Sequence, residues 1–231
     1  MDAKVSYIRQ SELFNPVNQK FNIVILGAGS LGSFIALNLA KLGFNNISIY
    51  DFDTVAAHNI PNQFYRVKDI GKPKVEALLE IVRDFADVEL DIYNEKLTPK
   101  TKLPLGMDNL FIVTFDSLKE RRKVFDILKE TGNCYAMDVR CGGEEYNIQT
   151  VNLFNEDEIT EWGKSFDLIP AKLPCGAKSI CYTNLSVASE VCNIAKKINN
   201  GENYPSRLIR HMKAYRIIND LNNGVVKKWE K

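Results

Sequence analysis

Apolar positions along the chain switch repeatedly between two rhythms. Phe21 to Leu26 (FNIVIL), Ile47 to Tyr50 (ISIY), Leu110 to Phe115 (LFIVTF) and Cys134 to Val139 (CYAMDV) are short, nearly continuous apolar runs. They are too short for helices and read as strands buried on both faces. Val88 to Tyr93 reads as a further strand. Between the runs, apolar residues recur at helical spacing. Leu31, Phe34, Ile35, Leu39 and Leu42 form one such face, closed by Gly43. Val75, Leu78, Leu79, Val82 and Phe85 form a second, and Leu118, Phe125 and Leu128 a third. Strands alternating with helices predict parallel pairing through right-handed crossovers, hence a Rossmann-like, doubly wound α/β sheet.

After Arg140 the rhythm changes. Glu145 to Leu153 (EYNIQTVNL) alternates polar and apolar, as a half-exposed antiparallel strand does. The mainly parallel sheet is therefore expected to be extended by antiparallel strands after the fifth. Asn155 to Pro174 has weak periodicity and two prolines, which predicts a loop or crossover. Tyr182 to Ile198 is predicted as a helix with Leu185, Ala188, Cys192 and Ala195 facing the core, and Pro205 to Leu221 as a last helix. The expected organisation is an N-terminal arm over residues 1–20, a candidate dimer contact, followed by one domain over 21–231. Residues 21–140 would form its nucleotide-binding half, and 141–231 a crossover segment and C-terminal helices.

Composition narrows the class. At 231 residues, 45% hydrophobic and 26% charged, the chain can bury a substantial core, and long disorder is excluded. A formal charge of +1 gives no bulk attraction to nucleic acid or anionic lipid, so neither is an expected partner. No apolar stretch is long enough to cross a membrane, and the opening MDAKVSYIRQSELF has no signal-peptide pattern. The expectation is a cytoplasmic protein with free thiols. None of the five cysteines stands in a C-x-x-C pair, which removes the sequence basis for a zinc clip.

The strongest chemical signal lies between the first strand and first helix. Gly27-Ala28-Gly29-Ser30-Leu31-Gly32 allows a tight turn, close backbone approach and a helix N-terminus with unpaired N–H groups for a phosphate or ribose. Asp51 closes the next strand, where a carboxylate can accept hydrogen bonds from a ribose. The turn alone does not distinguish NAD, FAD and ATP.

The residues that follow carry a resemblance. Asp51-Phe-Asp53-Thr-Val55, Asn59, Gln63 and Asp69-Ile-Gly71-Lys72-Pro-Lys74 resemble the ThiF/MoeB/ubiquitin-activating-enzyme superfamily pattern D-x-D-x-V, N-x-x-R-Q, D-I-G-x-x-K. Phe115-Asp116-Ser117 with Arg121 is similar to its T-D-N-x-x-x-R, and Tyr7-Ile-Arg9-Gln10 to its N-terminal Y-S-R-Q. The resemblance covers about residues 7 to 140 and thins beyond Arg140. It implies that ATP and Mg²⁺ are bound, and that the C-terminal carboxylate of a small ubiquitin-like or sulfur-carrier protein attacks the α-phosphate to form an acyl-adenylate.

By carry-over, Lys74 supplies charge at the phosphates, Asn59 and Gln63 supply neutral donors, and Asp116 holds Mg²⁺. Plainer readings stay open: Lys74 as a solvated helix-start lysine, Asp116 as a helix N-cap. Asp53 is expected to orient Lys74 or another basic residue. Arg121 is expected to face Asp116 or the phosphates, or to be a surface helix residue. One departure stands out: Asn62 occupies the arginine position of R-Q, with Arg66 the nearby candidate to replace it. In the family the N-terminal arginine crosses into the partner's site, so Arg9 implies a homodimer, or else it is an ordinary arm residue. Cys175, in Leu173-Pro-Cys175-Gly-Ala-Lys178, is the candidate thioester cysteine, and Cys141 is the runner-up. Cys134 and Cys192 read as packing residues. Two other functions stay open. A non-catalytic scaffold subunit would explain the missing arginine. An NAD-dependent oxidoreductase would use only Gly27, Gly29, Gly32 and Asp51.

Overall fold

The computed structural model describes residues 5–98, 101–106, 108–130, 134–167 and 180–221. Eight strands form one sheet: β1 (Asn22–Leu26), β2 (Ile47–Tyr50), β3 (Asp91–Tyr93), β4 (Asn109–Val113), β5 (Tyr135–Gly142), β6 (Glu145–Asn152), β7 (Pro205–His211) and β8 (Arg216–Leu221). Their order is β3-β2-β1-β4-β5-β6-β7-β8. The first five in that order pair in parallel, and the last three join antiparallel. This is the Rossmann-like sheet with an antiparallel extension that the patterning predicts.

Five helices cover the two faces: α1 (Gly32–Leu42), α2 (Lys74–Ala86), α3 (Leu118–Leu128), α4 (Glu156–Lys164) and α5 (Cys181–Asn200). Alternation within each strand sorts the core into two layers. Ile23, Ile25, Ile47, Ile49, Leu110, Ile112, Met137 and Val139 face the layer of α1, α2 and α5. Val24, Leu26, Phe111, Val113 and Ala136 face α3 and α4, where Phe125 meets Trp162 edge-on at 5.1 Å. Burial on both faces is the reason the parallel strands read as unbroken apolar runs.

Three predicted elements differ. The segment from Pro205 is not a helix but the β7–β8 hairpin, turning at Met212–Tyr215 with Tyr215 at φ 51°. Pro205, Leu208, Ile209 and Met212 happen to fall at helical spacing, but antiparallel pairing to β6 places Leu208 opposite Ile148 and uses the backbone groups instead. Part of the predicted 155–174 loop is α4: Asn155 caps it by accepting from the Asp157 N–H at 3.0 Å, and buried Trp162 anchors it. In α5 the buried stripe is Asn184, Val187, Ala188, Val191 and Ala195, so the expected core residue Leu185 is exposed. Phe85 is likewise exposed on α2. Among the described residues no helix is long and apolar enough to cross a membrane.

Candidate functional site

Strand order reverses between β1 and β4, and the carboxyl ends of the strands there are the crevice position of an open α/β sheet. Gly27 to Leu31 lie there. Gly27 holds a left-handed φ of 110°, and a Cβ on Gly32 would stand 1.8 Å from the Gly27 carbonyl oxygen, so turn and helix start are in close contact. A Cβ on Gly29 would meet nothing within 4 Å: its outer side is open.

Four side chains fix the turn. The Thr114 hydroxyl, at the end of β4, lies 3.0 Å from the Leu26 carbonyl and 2.9 Å from the Gly27 carbonyl. The Ala28 N–H donates to Asp51 Oδ2 at 2.7 Å. The Tyr65 hydroxyl donates to the Ala28 carbonyl at 2.6 Å. Ser33 Oγ accepts from the Phe64 N–H at 3.0 Å, which ties the segment carrying Asn59 and Gln63 to α1. Burial and the carboxylates of Asp51, Asp69 and Asp53 push the Tyr65 phenol well above its ordinary value, so it stays a hydroxyl donor.

A relay runs outward from the turn. Asp51 Oδ1 accepts from the Asp53 N–H at 2.8 Å, and Asp53 Oδ2 pairs with Lys74 Nζ at 2.8 Å. Lys74 opens α2 and its side chain is 8% exposed, so the solvated-lysine reading does not hold; Asp53 orients it as expected. Asn59 is buried, and its Oδ1 accepts from the Ala56 N–H at 2.8 Å, which leaves its NH₂ group as the available donor. Gln63 Oε1 and Asn62 Oδ1 are buried without a partner among the described residues. The Asn62 carbonyl accepts from Asn184 Nδ2 at 2.9 Å, which joins this segment to α5.

Asp116 is exposed just beyond β4, and Ser117, not Asp116, caps α3 by accepting from the Glu120 N–H. Among the described residues no group of three or more His, Cys, Asp or Glu could hold a metal ion. A lone exposed carboxylate does suit Mg²⁺ when the ion also takes nucleotide phosphate oxygens and keeps several waters.

Two arginines spend their hydrogen bonds elsewhere. Arg66 donates to Asp69 through Nε at 2.8 Å and Nη2 at 2.9 Å, to Glu80 at 2.8 Å and to Asp84 at 3.0 Å. Its donors are engaged by carboxylates on its own segment and on α2. Arg121 is buried and bonds to Asp138, to the Val113 carbonyl at 3.0 Å and to the Val139 carbonyl at 2.8 Å. It is not a surface residue: it clamps β4 to β5, with the Asp116 carboxylate near enough to act on its charge.

Arg9 is exposed in an arm that docks on the far ends of α1 and α5: Gln10 Nε2 donates to the Leu42 carbonyl, and Asn200 Nδ2 to the Leu13 carbonyl at 3.1 Å. At ~1.5 Å rise per residue, α1 puts roughly 16 Å between that end and the glycine turn. Cys175 lies outside the described residues. Burial pushes the Cys141 thiol up to about 11 and the Cys192 thiol up to about 12, and Cys134 is fully buried. Tyr65 and Thr114 escape sequence reading: each looks like a core residue, and only the position of Thr114 directly before Phe115-Asp116 marks it.

Comparison with known proteins gives the family. The chain is 29% identical over 209 residues to the NEDD8-activating enzyme E1 catalytic subunit of Arabidopsis thaliana, covering 81% of this chain and 41% of that protein. It is 31% identical over 184 residues to ubiquitin-like modifier-activating enzyme 5 of the same plant, covering 75% and 40%. It thus spans about two fifths of the length of these curated relatives. Among solved structures, PaaA superposes with a TM-score of 0.70 at 17% identity, over 99% of this chain and 86% of that one. Escherichia coli MccB with ATP gives 0.68 at 14% identity, over 92% and 65%. These two show likeness of fold. The ThiF family profile matches residues 13–164, more than half the chain, and takes in the glycine turn, the Asp51–Lys74 relay and Asp116: the chain belongs to the ThiF family.

Proposed function

We propose that this chain is an ATP-dependent adenylyltransferase that activates the C-terminal carboxylate of a small ubiquitin-like or sulfur-carrier protein. A carboxylate oxygen attacks the α-phosphorus of ATP. The bond from that phosphorus to the bridging oxygen breaks, pyrophosphate leaves with the electron pair, and an acyl-adenylate forms. The observation that carries this reading is the continuous set of bonds from Ala28 through Asp51 and Asp53 to Lys74, set at the β1/β4 crevice.

The chemistry asks for fixed donors where phosphate charge moves. The N–H groups of Gly29, Ser30 and Leu31 lead into α1 and are available to phosphate oxygens. Asp51 accepts the ribose hydroxyls, Lys74 meets the phosphates, and Asn59 and Gln63 orient them. Asp116, and with it Ser117 at the start of α3, borders the metal position; Mg²⁺ there would offset phosphate charge against the incoming carboxylate. Arg9 is far from its own turn, so a role at the phosphates requires a second copy of the chain, hence a homodimer. Cys175 is the candidate acceptor for a subsequent thioester.

ATP–pyrophosphate exchange with a carrier protein tests the reading. Wild type exchanges label; Asp116→Ala abolishes exchange and Lys74→Ala nearly does; Cys175→Ala leaves it intact while removing any thioester. Wild-type rates in the first two variants refute the assignment. A second reading, a scaffold subunit that binds nucleotide without turning it over, draws on Asn62 and on the engagement of Arg66 and Arg121 by other carboxylates. Nucleotide binding without exchange would favour it, and preference for NAD over ATP would favour a dehydrogenase.

A further inference from the structure

Tyr65 is not part of any motif read from the sequence, yet its hydroxyl is buried against the glycine turn. The Ala28 residue is held from both sides: its N–H by Asp51 at 2.7 Å and its carbonyl by Tyr65 at 2.6 Å. The structure contains no cis peptide bond among the described residues, so the Ala28–Gly29 peptide is trans. In a trans peptide the carbonyl and the following N–H point in opposite directions. Tyr65, by drawing the Ala28 carbonyl inward, turns the Gly29 N–H outward. Space around Gly29 is open on its side-chain side as well: a Cβ there would meet nothing within 4 Å. The Gly29 carbonyl is fixed independently, accepting from the Ser33 N–H at 3.1 Å.

We infer that Tyr65 is a positioning residue that aims the Gly29 N–H at a phosphate oxygen of the bound nucleotide. The inference rests on the nucleotide-binding reading above, and it adds a residue that touches neither nucleotide nor carrier. It also explains why the segment after Gln63 is bonded to α1 through Ser33 and Phe64: the phenol must be held at a fixed distance behind the turn. Without the hydroxyl, rotation about the bonds flanking the Ala28–Gly29 peptide is opposed on one side only, because glycine at position 29 imposes no steric limit.

Tyr65→Phe removes one oxygen and keeps the ring. Titration calorimetry with ATP and with adenosine, on wild type and variant, separates aim from fold. One aimed hydrogen bond lost corresponds to about five- to tenfold weaker ATP binding, with adenosine changed by less than about twofold. In pyrophosphate exchange the KM for ATP should rise while kcat changes little. Equal weakening of ATP and adenosine, or an unchanged ATP affinity, overturns the inference. A second measurement needs no variant at Tyr65: in ¹⁵N-glycine-labelled wild type, the Gly29 amide, identified by its loss in Gly29→Ala, should shift with ATP and stay put with adenosine. A Gly29 amide that ignores ATP also overturns it. Wild type that binds neither compound overturns the nucleotide reading itself and the assignment of Tyr65 with it, whereas tight ATP binding by both proteins overturns Tyr65 alone.

Discussion

Alanine placed at each glycine of the turn should separate folding from binding. At Gly32 the new Cβ would fall 1.8 Å from the Gly27 carbonyl oxygen and 2.9 Å from its carbon, both backbone atoms that no rotamer change can move. At Gly27 it would meet Thr114 Oγ1 at 2.7 Å, on a backbone at φ 110° that side chains rarely adopt. Left-handed strain, at Gly27 alone, costs about 1–3 kcal/mol; overpacking costs about 1–3 kcal/mol more, and lies at the upper end at Gly32, where the clash is with backbone. Each variant should therefore lose roughly 3 kcal/mol or more, a fall of about 6–12 °C in Tm for a chain of this size. Gly29 has neither penalty. Gly29→Ala should keep its Tm or gain up to about 1 kcal/mol from the stiffer unfolded chain. Its methyl group would occupy the space where phosphate approaches, so ATP affinity should drop about tenfold or more. Thermal melts read the first effect and calorimetry with ATP the second. A Gly29→Ala protein that melts as low as Gly32→Ala, or that binds ATP like wild type, refutes the reasoning.

Further outcomes follow from the buried groups. Burial alone would raise the Asp138 carboxyl; the guanidiniums of Arg121 and Arg140 and the Trp162 N–H at 3.0 Å outweigh it and hold it below its ordinary 3.8. Asp138→Asn leaves Arg121 buried without its counter-charge and should cost about 3–5 kcal/mol in urea denaturation at neutral pH. Because the folded-state value is the lower one, the stabilisation is present above the unfolded value and fades as pH falls through the folded one; the variant should lack that part of the acid-side decline, and an identical acid profile counts against the charged pair. For the thiols, a Cys175→Ala, Cys181→Ala double variant should be silent to a thiol reagent when native and show the remaining three of five cysteines in denaturant. A full equivalent reacting in the native state would mean that Cys134, Cys141 or Cys192 is more open than its burial implies.

The parallel half of the fold was legible because both faces of those strands are covered. Burial on two sides demands apolar residues at every position, and FNIVIL or LFIVTF can then hardly be anything else. The C-terminal half was less so. Its strands are covered on one face at most in places, and β7 carries arginines whose stems lie along the sheet; with Pro205, Leu208, Ile209 and Met212 at helical spacing, pattern alone favours the wrong element. Helix α4 hides for the opposite reason: Trp162 is its one fully buried residue, so there is almost no stripe to see. At the site, spacing pointed to Asp51 and the resemblance to Asp53, Lys74 and Asp116, and of these Asp51, Asp53 and Lys74 are joined by bonds. Neither gave the partners of Arg66 and Arg121, because an arginine's partner is chosen in three dimensions. Asp138, which engages Arg121, sits on a different strand, and Glu80, which engages Arg66, one helix away.

Those two engagements bear on the electrostatics of the crevice. With Asn62 in place of an arginine, and with Arg66 and Arg121 each matched to carboxylates, Lys74, paired to Asp53, is the cation joined to the turn among the described residues. Behind Asp53 stands a second carboxylate, that of Asp51, bonded to the Asp53 N–H. On the proposed reading, a polyanion entering there is not met by a field of arginines from the described residues. It meets oriented dipoles: the N–H groups at the start of α1, the Gly29 N–H turned outward by Tyr65, and the amides of Asn59 and Gln63. Dipoles stabilise charge well only when they need not reorganise to do so. That requirement accounts for the number of bonds fixing a six-residue turn, from Thr114 beneath it, Asp51 and Tyr65 on either side of Ala28, and Ser33 behind it. On the proposed reading, rigidity of the backbone donors takes over the work of fixed cations, and residues that never touch the nucleotide set how well it binds.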